Sequence, residues 1–504
     1  MNKQQKRLDR SYGIIMPIFS LPSNYGIGTF GKAAYDFVDY LNDCGAKYWQ
    51  ILPLGQTSYG DSPYQSFSSF AGNPYFIDLD MLIEDGLLEK EDLENIDFGG
   101  NEREIDYAKL YNVRYRVLEI AYKNAKEKYA KEIKEFRKAE ANWLEDYALF
   151  MAIKKDNLDK SWEFWDEDLR NRKKSALDEF KKENKELIDF YVYLQYEFFK
   201  QWNKLKEFAN RHEIEIIGDL PIYVAYDSAD AWVNYEILKL DKETKRPIVV
   251  GGAPPDDYSV DGQLWGNPVY RWEYMRDVEG FDFWKRRIGA CLKLYDILRL
   301  DHFRGFEAYY AIPATDDTAR YGKWEKGLPY DFFDAIKEAY PDAKYIAEDL
   351  GFITKEVEDL INHYAFPGMK VIQFAFGDNF DSEYLPHNYE RNSMVYASTH
   401  DSDTLQGFLD NADEHLLELI RTYFGIGEDE KDENIRETIA RNLMASVSDV
   451  CMFEIQDLFG LGNEARINCP GIVGGNWDWR AVESDFDKKI AEKYEKMAKT
   501  YGRI

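Results

Sequence analysis

Residues 297–310 read ILRLDHFRGFEAYY, an apolar run typical of a buried strand that ends in Asp301 and His302. Seven other short runs rich in β-branched or aromatic residues occur along the chain, most of them followed by a stretch with helical character. They cover residues 12–16, 48–52, 214–220, 345–348, 370–374, 394–399 and 449–453. Near-continuous apolar strands that alternate with helices are typical of a parallel sheet covered on both faces. The eight runs therefore predict an α/β fold, a closed (β/α)8 TIM barrel.

The longest interval between these runs separates the second from the third. It contains segments with apolar residues at i, i+3 and i+4 and dense Lys and Glu between them, a pattern that favours helices with solvated charged faces. The sequence thus predicts barrel strands 1–2 in residues 1–79, a mainly helical insertion in 80–211 and strands 3–8 in 212–504. Further loop insertions are expected at the C-terminal rim.

Charge and composition limit the possible partners. The chain has 64 Lys and Arg against 93 Asp and Glu, a formal charge of −29 that would repel nucleic acid and anionic membrane surfaces. Aromatic residues make up 16% of the chain, and their flat rings suit ligands that are both hydroxylated and C–H rich, such as sugars.

The compartment is predicted from the cysteines and the apolar segments. Four cysteines are widely spread without metal-ligand spacing, which favours reduced thiols in a cytoplasmic protein. Pro17 interrupts the short apolar stretch near the N-terminus, and no run of 18 apolar residues follows, so neither a signal peptide nor a membrane span is expected.

Four of the predicted strands end in a carboxylate: Asp219, Asp301, Glu348 and Asp401. Because the reacting groups of a (β/α)8 barrel lie where its strands end, these acids are expected to converge on one rim. Such a cluster supports glycoside cleavage by a nucleophile and a proton donor. It also supports metal-dependent hydrolysis, with Asp301, His302, His400 and Asp401 as ligands.

Neighbouring residues favour glycoside cleavage. Arg299 lies two residues before Asp301 and hence on the same strand face, where a cation would keep Asp301 ionised, as a nucleophile requires. Asp349 follows Glu348, and crowded carboxylates raise a neighbour's pKa, as a general acid requires. We therefore expect neither a metal ion nor another cofactor.

A glycine motif offers a competing interpretation. Residues 26–31, GIGTFG, match the dinucleotide-binding pattern G-x-G-x-x-G. However, five residues separate the preceding apolar run from the first glycine, and the next strand lacks the acid that would hold a ribose. These glycines are interpreted as a tight loop at the rim.

Long stretches of the chain resemble one family. They are SLPSNYGIGTFG, QILPLGQTSYGDSPYQSFSSFAGNPYFIDL, IIGDLPIYVA, PPDDYSVDGQLWGNPVYRW, LRLDHFRGFEAYYAIP, YIAEDLG, FAFGDNFDSEYLPHNY, STHDSDT and GLGNEARINCPG. In this order they resemble the 4-α-glucanotransferases of the amylomaltase or disproportionating-enzyme family, glycoside hydrolase family 77 of the α-amylase superfamily.

The resemblance implies roles for particular residues. Asp301 would be the nucleophile, Glu348 the general acid/base and Asp401 the carboxylate that stabilises the transition state. The sugar at the cleavage point would be held by Arg299, His302 and His400, with Asp219 in support. Residues 251–266 would cover the acceptor side, and the remaining implied binding residues are Tyr258, Gln263, Trp265, Tyr59, Asp61, Ser62 and Tyr64.

The implied reaction is retaining transfer of α-1,4-glucan segments to the 4-hydroxyl of another glucan or of glucose. A related α-glucan hydrolase and a catalytically silent glucan-binding protein remain alternatives. One departure from the family pattern is Ser402, where Asn is common, which puts a hydrogen bond next to Asp401 in question. Arg304 and Glu307 receive no role.

Overall fold

The structure, a computed structural model, describes residues 4–58, 60–255, 259–377, 380–472 and 474–504. Within these ranges the chain forms twelve strands, which are β1 (Ser11–Ile15), β2 (Tyr48–Gln50), β3 (Glu215–Leu220), β4 (Val249–Ala253), β5 (Gln263–Pro268), β6 (Ile297–Leu300), β7 (Ala308–Pro313), β8 (Lys323–Lys326), β9 (Lys344–Ala347), β10 (Gly368–Val371), β11 (Ser393–Tyr396) and β12 (Val450–Glu454).

The same ranges contain nineteen α-helices, which are α1 (Lys32–Cys44), α2 (Leu79–Glu84), α3 (Tyr107–Lys128), α4 (Ala130–Ala139), α5 (Leu144–Asp156), α6 (Glu167–Arg170), α7 (Lys174–Glu183), α8 (Lys185–Arg211), α9 (Ala229–Val233), α10 (Trp272–Tyr274), α11 (Asp282–Leu294), α12 (Arg304–Glu307), α13 (Pro329–Ala339), α14 (Lys355–Tyr364), α15 (Leu405–Asn411), α16 (Glu414–Phe424), α17 (Asp432–Ala445), α18 (Ile455–Phe459) and α19 (Lys488–Thr500).

Eight strands close into the predicted parallel barrel, in the order β1-β12-β11-β10-β9-β6-β3-β2. All eight correspond to predicted strands, with ends that differ by at most three residues. The largest differences are at β10 and β11, where the last predicted residues are no longer part of the strand. Residues Ile372–Phe374 form a 3-10 turn instead.

The barrel interior is apolar over most of its depth and polar near the strand ends. Because alternate strand residues face inward, one set of side chains fills the interior. Its apolar members are Ile15, Tyr48, Ile217, Ile297, Ile346, Met369, Val371, Met394, Tyr396, Val450 and Met452. Continuing the same alternation, β3 presents Asp219, β6 presents Arg299 and β12 presents Glu454, all buried. This polar layer lies directly beneath the C-terminal rim.

The chain between β2 and β3 is largely helical and forms α2 to α8. Its last helix, α8, returns to the barrel. Phe198 and Trp202 of α8 lie 5.1 and 5.2 Å from the ring of Phe30, and Trp202 Nε1 donates to Leu294 O at the end of α11 (3.2 Å). The C-terminal half of α8 therefore covers the barrel wall.

A second sheet was not predicted. Strands β5, β4, β7 and β8 pair in this order, all antiparallel. Residues 251–266, expected as a loop, thus include the end of β4 and the start of β5. The family resemblance implied a loop here, but pairing with β7 supplies hydrogen bonds that local sequence does not reveal. A side chain at Gly251 would meet the ring of Tyr223 at 2.6 Å, so close sheet packing requires glycine there.

The G-x-G-x-x-G stretch packs against the protein's own chain. A side chain at Gly28 would meet Ile18 O at 1.9 Å, and one at Gly31 would meet the carboxylate of Asp78 at 2.0 Å. Gly26 has a left-handed φ of +77°. The glycines therefore serve close packing before α1, as the tight-loop interpretation expects.

No helix in the described part of the chain is long and apolar enough to cross a bilayer. All four cysteines are free thiols, and Cys44, Cys291 and Cys451 are buried.

Candidate active site

The four strand-end carboxylates converge on the C-terminal rim of the barrel, three of them within one hydrogen-bonded chain. Arg299 Nη1 donates to Asp219 Oδ2 (2.6 Å) and to Asp301 Oδ1 (3.3 Å). Tyr64 OH donates to the same Asp219 oxygen (2.8 Å) and lies 2.9 Å from His400 Nε2. His400 Nε2 in turn lies 3.1 Å from Asp401 Oδ2. This series of contacts connects Asp301 to Asp401 across the mouth of the barrel.

Glu348 joins the cluster through backbone donors. Its Oε2 accepts from His302 N (2.6 Å) and its Oε1 from Leu350 N (3.2 Å). The main chain adds two bonds, from Glu348 N to Leu300 O and from Phe303 N to Glu348 O, both 3.1 Å. The ends of β6 and β9, which carry Asp301 and Glu348, are therefore fixed to each other.

The carboxylates differ in proton affinity. Burial, followed by the charge of Asp219, raises the pKa of Asp301 to about 7 even though Arg299 opposes this. Burial also raises the pKa of Glu348, to about 8, with Asp301 adding to the effect. Arg299 lowers the pKa of both carboxyls, and the N–H bonds from His302 and Leu350 also lower that of Glu348, but burial outweighs these effects at both groups.

One of the expected causes acts only in part, and the other was wrong. Arg299 contacts Asp301 and lowers its pKa, as expected, but its closer partner is Asp219, whose charge offsets the cation. Asp349 was expected to raise the pKa of Glu348, but successive strand residues point to opposite faces. Asp349 instead accepts from Met369 N (2.6 Å).

Asp401 has the opposite tendency. Burial would raise its pKa, but the charge of His400 and hydrogen bonds from His400 and Asn468 lower it to about 2. Asn468 Nδ2 donates to Asp401 Oδ1 (2.6 Å), and Arg466 Nη2 donates to its carbonyl (3.0 Å). Asp401 therefore stays ionised at neutral pH, with its side chain 44% exposed at the mouth of the site.

His302 lies next to Glu348 and contacts the ring of Trp265. Trp265, on β5, meets it edge to face with ring centroids 4.9 Å apart, and Trp265 Nε1 donates to Gln263 Oε1 (3.0 Å). Burial and then Arg304 lower the pKa of His302 to about 4, so the ring is neutral at pH 7. Within the described residues its buried Nε2 has no hydrogen-bond partner.

The loop after β2 contributes Tyr64. Its ring stacks on His400 (5.5 Å between centroids), and Trp477 lies 5.8 Å from Tyr64. Asp61 and Ser62 lie on the same loop, where Asp61 has a φ of 59° and Ser62 Oγ accepts from Tyr64 N (3.3 Å). Gln65 Nε2 donates to Asn267 Oδ1 on β5 (2.7 Å), which joins this loop to the second sheet. Tyr59 and Tyr258 lie outside the described residues.

Sequence reasoning did not single out Asn468, Arg466 or Trp477. All three follow β12 in long connections, and only folding brings them to the rim. The motif GLGNEARINCPG contains Arg466 and Asn468 and was the available signal. Ser402, the departure from the family pattern, is buried, and its Oγ accepts from Thr399 N (3.0 Å) and donates to Thr399 O (3.1 Å). It thus closes the turn that presents His400 and Asp401.

The arrangement suits proton transfer and covalent catalysis by carboxylates. Among the described residues, no group of three or more His, Cys, Asp or Glu side chains has the geometry of a metal site. Asp301, the central oxygen ligand of the metal hypothesis, already faces the Arg299 guanidinium, which a divalent cation would have to displace.

Comparison with known proteins agrees with this chemistry. The family model for 4-alpha-glucanotransferase, glycoside hydrolase family 77, matches residues 16–484. The 4-alpha-glucanotransferase of Clostridium butyricum is 48% identical over 489 residues, covering 97% of this chain and all of the relative. That of Streptococcus pneumoniae (strain TIGR4) is 47% identical over 500 residues, covering 98% of each.

A solved structure, amylomaltase from Streptococcus agalactiae in complex with acarbose, has a TM-score of 0.95 to this chain at 42% identity. The match covers 98% of this chain and 99% of that one.

Proposed function

Because this chain belongs to the 4-alpha-glucanotransferase family and is an enzyme of glucan transfer, we propose that it moves α-1,4-glucan segments by retaining double displacement. The observation that carries the mechanism is the contrast between two adjacent carboxylates on the rim. Asp301 accepts a hydrogen bond from the cation Arg299, whereas the Glu348 carboxylate accepts from the backbone N–H groups of His302 and Leu350.

In the first step, Asp301 attacks the anomeric carbon of the bound glucan while the glycosidic C–O bond breaks. Glu348 gives its proton to the departing oxygen, and the rest of the donor chain leaves with a free 4-hydroxyl. The glucan segment is then covalently attached to Asp301.

In the second step, the 4-hydroxyl of an acceptor glucan or glucose attacks the same carbon. Glu348, now ionised, takes the hydroxyl proton, and the bond to Asp301 breaks. The site returns to its starting protonation state. Asp401, whose low pKa keeps it ionised, stabilises the positive charge that develops on the sugar ring in both steps.

Other residues bind the sugar at the cleavage point. The unpartnered His302 Nε2 suits a sugar hydroxyl, and Arg299, His400 and Asp219 hold the carboxylates and Tyr64 in place. In this proposal the groove has two sides. One is lined by Trp265 and Gln263 of β5, and the other by Asp61, Ser62 and Tyr64 of the loop after β2. The acarbose complex of the Streptococcus agalactiae amylomaltase supports a maltooligosaccharide-like ligand.

Transfer requires that a sugar hydroxyl reach the covalent intermediate before water does. Aromatic side chains on the acceptor side favour this by binding the acceptor and excluding water. The spread of the four cysteines and their free thiols support a cytoplasmic location.

Incubation with maltotriose tests the function. Glucose together with longer oligomers is expected; maltose and glucose without longer products would show hydrolysis, and no change would show binding only. Asp301→Ala should lower the rate by about a thousandfold or more. The exposed Asp317→Ala is the matched control and should retain activity.

A second variant tests the proton donor. Glu348→Gln should lose about 10²–10⁴-fold in rate on maltotriose. With an α-glucosyl fluoride donor, whose leaving group needs no proton, formation of the covalent intermediate should be largely retained. Equal loss on both donors would argue against the acid/base role.

A further inference from the structure

Two exposed aromatic rings flank a buried guanidinium at the edge of the site. Cζ of Arg304 lies 3.8 Å from the ring centroid of Trp324 and 5.4 Å from that of Phe352. Arg304 is only 7% exposed, whereas Trp324 is 38% and Phe352 75% exposed. Arg304 Nη1 also donates to the carbonyl of Phe352, and Tyr310 packs edge to face on Trp324 at 5.2 Å. Arg304 therefore contacts both rings and holds the backbone of Phe352, while water reaches the rings.

This aromatic pair continues directly from the proposed catalytic groups. Arg304 follows His302 by two residues, and Phe352 follows Glu348 by four. Leu350, between Glu348 and Phe352, donates its N–H to the Glu348 carboxylate (3.2 Å). The contact between Arg304 and Phe352 thus joins the two rim segments that carry His302 and Glu348.

The position of the pair indicates what it contacts. In the proposed mechanism, Glu348 gives its proton to the oxygen of the departing chain and later takes one from that of the acceptor. Phe352 lies on the segment that follows Glu348, and Trp324 lies in the sheet that also carries Trp265, so we assign the pair to the side of the departing and acceptor chains. Exposed aromatic rings bind well to ligands that present C–H faces and hydroxyl edges, as an α-glucan does.

We propose that Trp324 and Phe352 form an aromatic platform that binds the leaving and acceptor glucan beyond the cleavage point and so favours long glucans over short ones. This inference rests on the proposed function of the site. Arg304 acts as a positioning residue, because it contacts both rings and is itself buried. A glucan of only a few glucose units ends before the platform and gains nothing from it.

Substrate length provides the test. For Trp324→Ala and Phe352→Ala, we expect the ratio of kcat/KM for long linear amylose to kcat/KM for maltotriose to fall by about tenfold. Phe164→Ala removes a ring that is 62% exposed in the 3-10 turn Trp162–Phe164, between β2 and β3, and should leave the ratio unchanged. A ratio like that of the unmodified enzyme in both platform variants would overturn the proposal.

Binding without turnover separates this test from that of the proposed function. In a Glu348→Gln background, titration calorimetry with long amylose and with maltotriose should show that Phe352→Ala weakens only amylose binding. Equal weakening for both ligands would show a general disturbance of the rim and overturn the platform. Sedimentation of Phe352→Ala should give the unchanged mass; a lower mass would instead identify the rings as a contact between copies of the chain.

If maltotriose is not disproportionated at all, the proposed function fails. If maltotriose is disproportionated but the platform variants keep the amylose-to-maltotriose ratio of the unmodified enzyme, only the platform proposal fails.

Discussion

Arg299 donates from a single nitrogen, Nη1, to two carboxylates, and this sharing sets the charge of the site. Asp219 takes the shorter bond at 2.6 Å and Asp301 the longer at 3.3 Å. One buried cation therefore faces two anions, and the negative charge of Asp219 helps to raise the pKa of Asp301. Asp301 is a nucleophile only when ionised, so activity should rise with pH through its raised pKa and fall as Glu348 loses its proton.

Asp219→Asn should move the acidic limb of the pH profile of kcat/KM to lower pH. The substitution removes the negative charge that helps to raise the pKa of Asp301, and it leaves Arg299 to Asp301 alone. The expected shift is about one pH unit, accompanied by lower activity at the optimum because Tyr64 loses its charged acceptor.

Tyr64→Phe is the matched control, because it removes a hydrogen bond to Asp219 without changing that residue's charge. Its acidic limb should stay close to that of the unmodified enzyme. An Asp219→Asn limb that moved to higher pH would contradict this account of Arg299.

Residues of the site could be predicted where strand geometry alone places them. The carboxyl ends of parallel barrel strands meet at one rim, so Asp219, Asp301, Glu348 and Asp401 were predictable from their positions at strand ends. Asn468 and Trp477 could not be derived in this way, because their connection reaches the rim only through tertiary contacts such as Asn468 N to His400 O (3.0 Å). The sharing of the Arg299 guanidinium between Asp219 and Asp301 could not be predicted either, because it depends on which of the two carboxylates is closer.

At the scale of elements, a serine hydroxyl beyond the end of β11 contacts two carboxylates, one at the end of β12 and one in α18. Ser398 Oγ, beyond the end of β11, lies 3.0 Å from Glu454 Oε2 and also hydrogen-bonds Asp457 Oδ2. A hydroxyl has one hydrogen, so it satisfies one carboxylate only, and the other must itself be protonated to donate to Ser398. Both acids are buried, and neither forms an ion pair within the described ranges.

The surroundings favour the protonated form. Burial, and then the charge of Asp457, raise the pKa of Glu454 well above its usual range, and nearby Asp401 acts in the same direction while Arg466 opposes it. Burial raises the pKa of Asp457 to about 6, against Arg436. Asp457 Oδ1 also accepts from Leu405 N (2.8 Å), so the pair holds both ends of the segment that contains His400 and Asp401.

Glu454→Gln should remove part of the pH dependence of stability. A folded-state pKa above the unfolded value means that the native state binds the proton more tightly. The stability from Glu454 is therefore complete below pH 4.5 and is lost as pH rises toward the raised pKa. A glutamine keeps a hydrogen-bond donor without needing the proton, so the variant should lose less free energy of unfolding between pH 5 and pH 8.

Urea unfolding at the two pH values measures the difference, and the exposed Glu390→Gln is the control that should follow the unmodified protein. Parallel losses in Glu454→Gln and the unmodified protein would show that Glu454 does not carry the proton.

The elements themselves were predictable to different degrees. The barrel strands are continuous apolar runs, and most are followed by a helical stretch, so local sequence is sufficient. Strands β4 and β5 were not, because Gly251 and Gly252 read as a loop and become a strand only by pairing with Ala311 and Tyr310 of β7. The end of β10 was missed for the opposite reason: Ile372 and Phe374 are apolar but belong to a 3-10 turn.

At the scale of the whole molecule, the helical segment between β2 and β3 holds the loop that carries Tyr64. Gln195 of α8 makes two bonds to the backbone of Gly72, donating to its carbonyl (3.0 Å) and accepting from its N–H (2.8 Å). Tyr147 of α5 donates to Gln56 Oε1 (2.8 Å), and Gln56 donates to Tyr115 OH of α3 (2.7 Å). Three helices distant in sequence thus fix both ends of the loop, which makes the segment part of the active-site scaffold.

Gln195→Ala should consequently affect both stability and catalysis. It leaves two buried backbone groups of Gly72 without partners, which should lower the free energy of unfolding by about 2–4 kcal/mol. Because Tyr64 then loses its fixed position against Asp219 and His400, kcat/KM for maltotriose should fall by about tenfold or more. Urea unfolding and steady-state kinetics on the same preparation measure the two effects.

Gln201→Ala is the matched control, because Gln201 on the same helix makes the same pair of backbone bonds, to Asp78 N (2.7 Å) and Asp78 O (3.3 Å). Asp78 lies further along the chain, at the start of α2, and has no hydrogen bond to the carboxylate cluster within the described residues. A similar loss of stability with a much smaller loss of activity is therefore expected. If the two variants lost activity in equal proportion, general destabilisation would explain both, and the specific support of Tyr64 by α8 would be disproved.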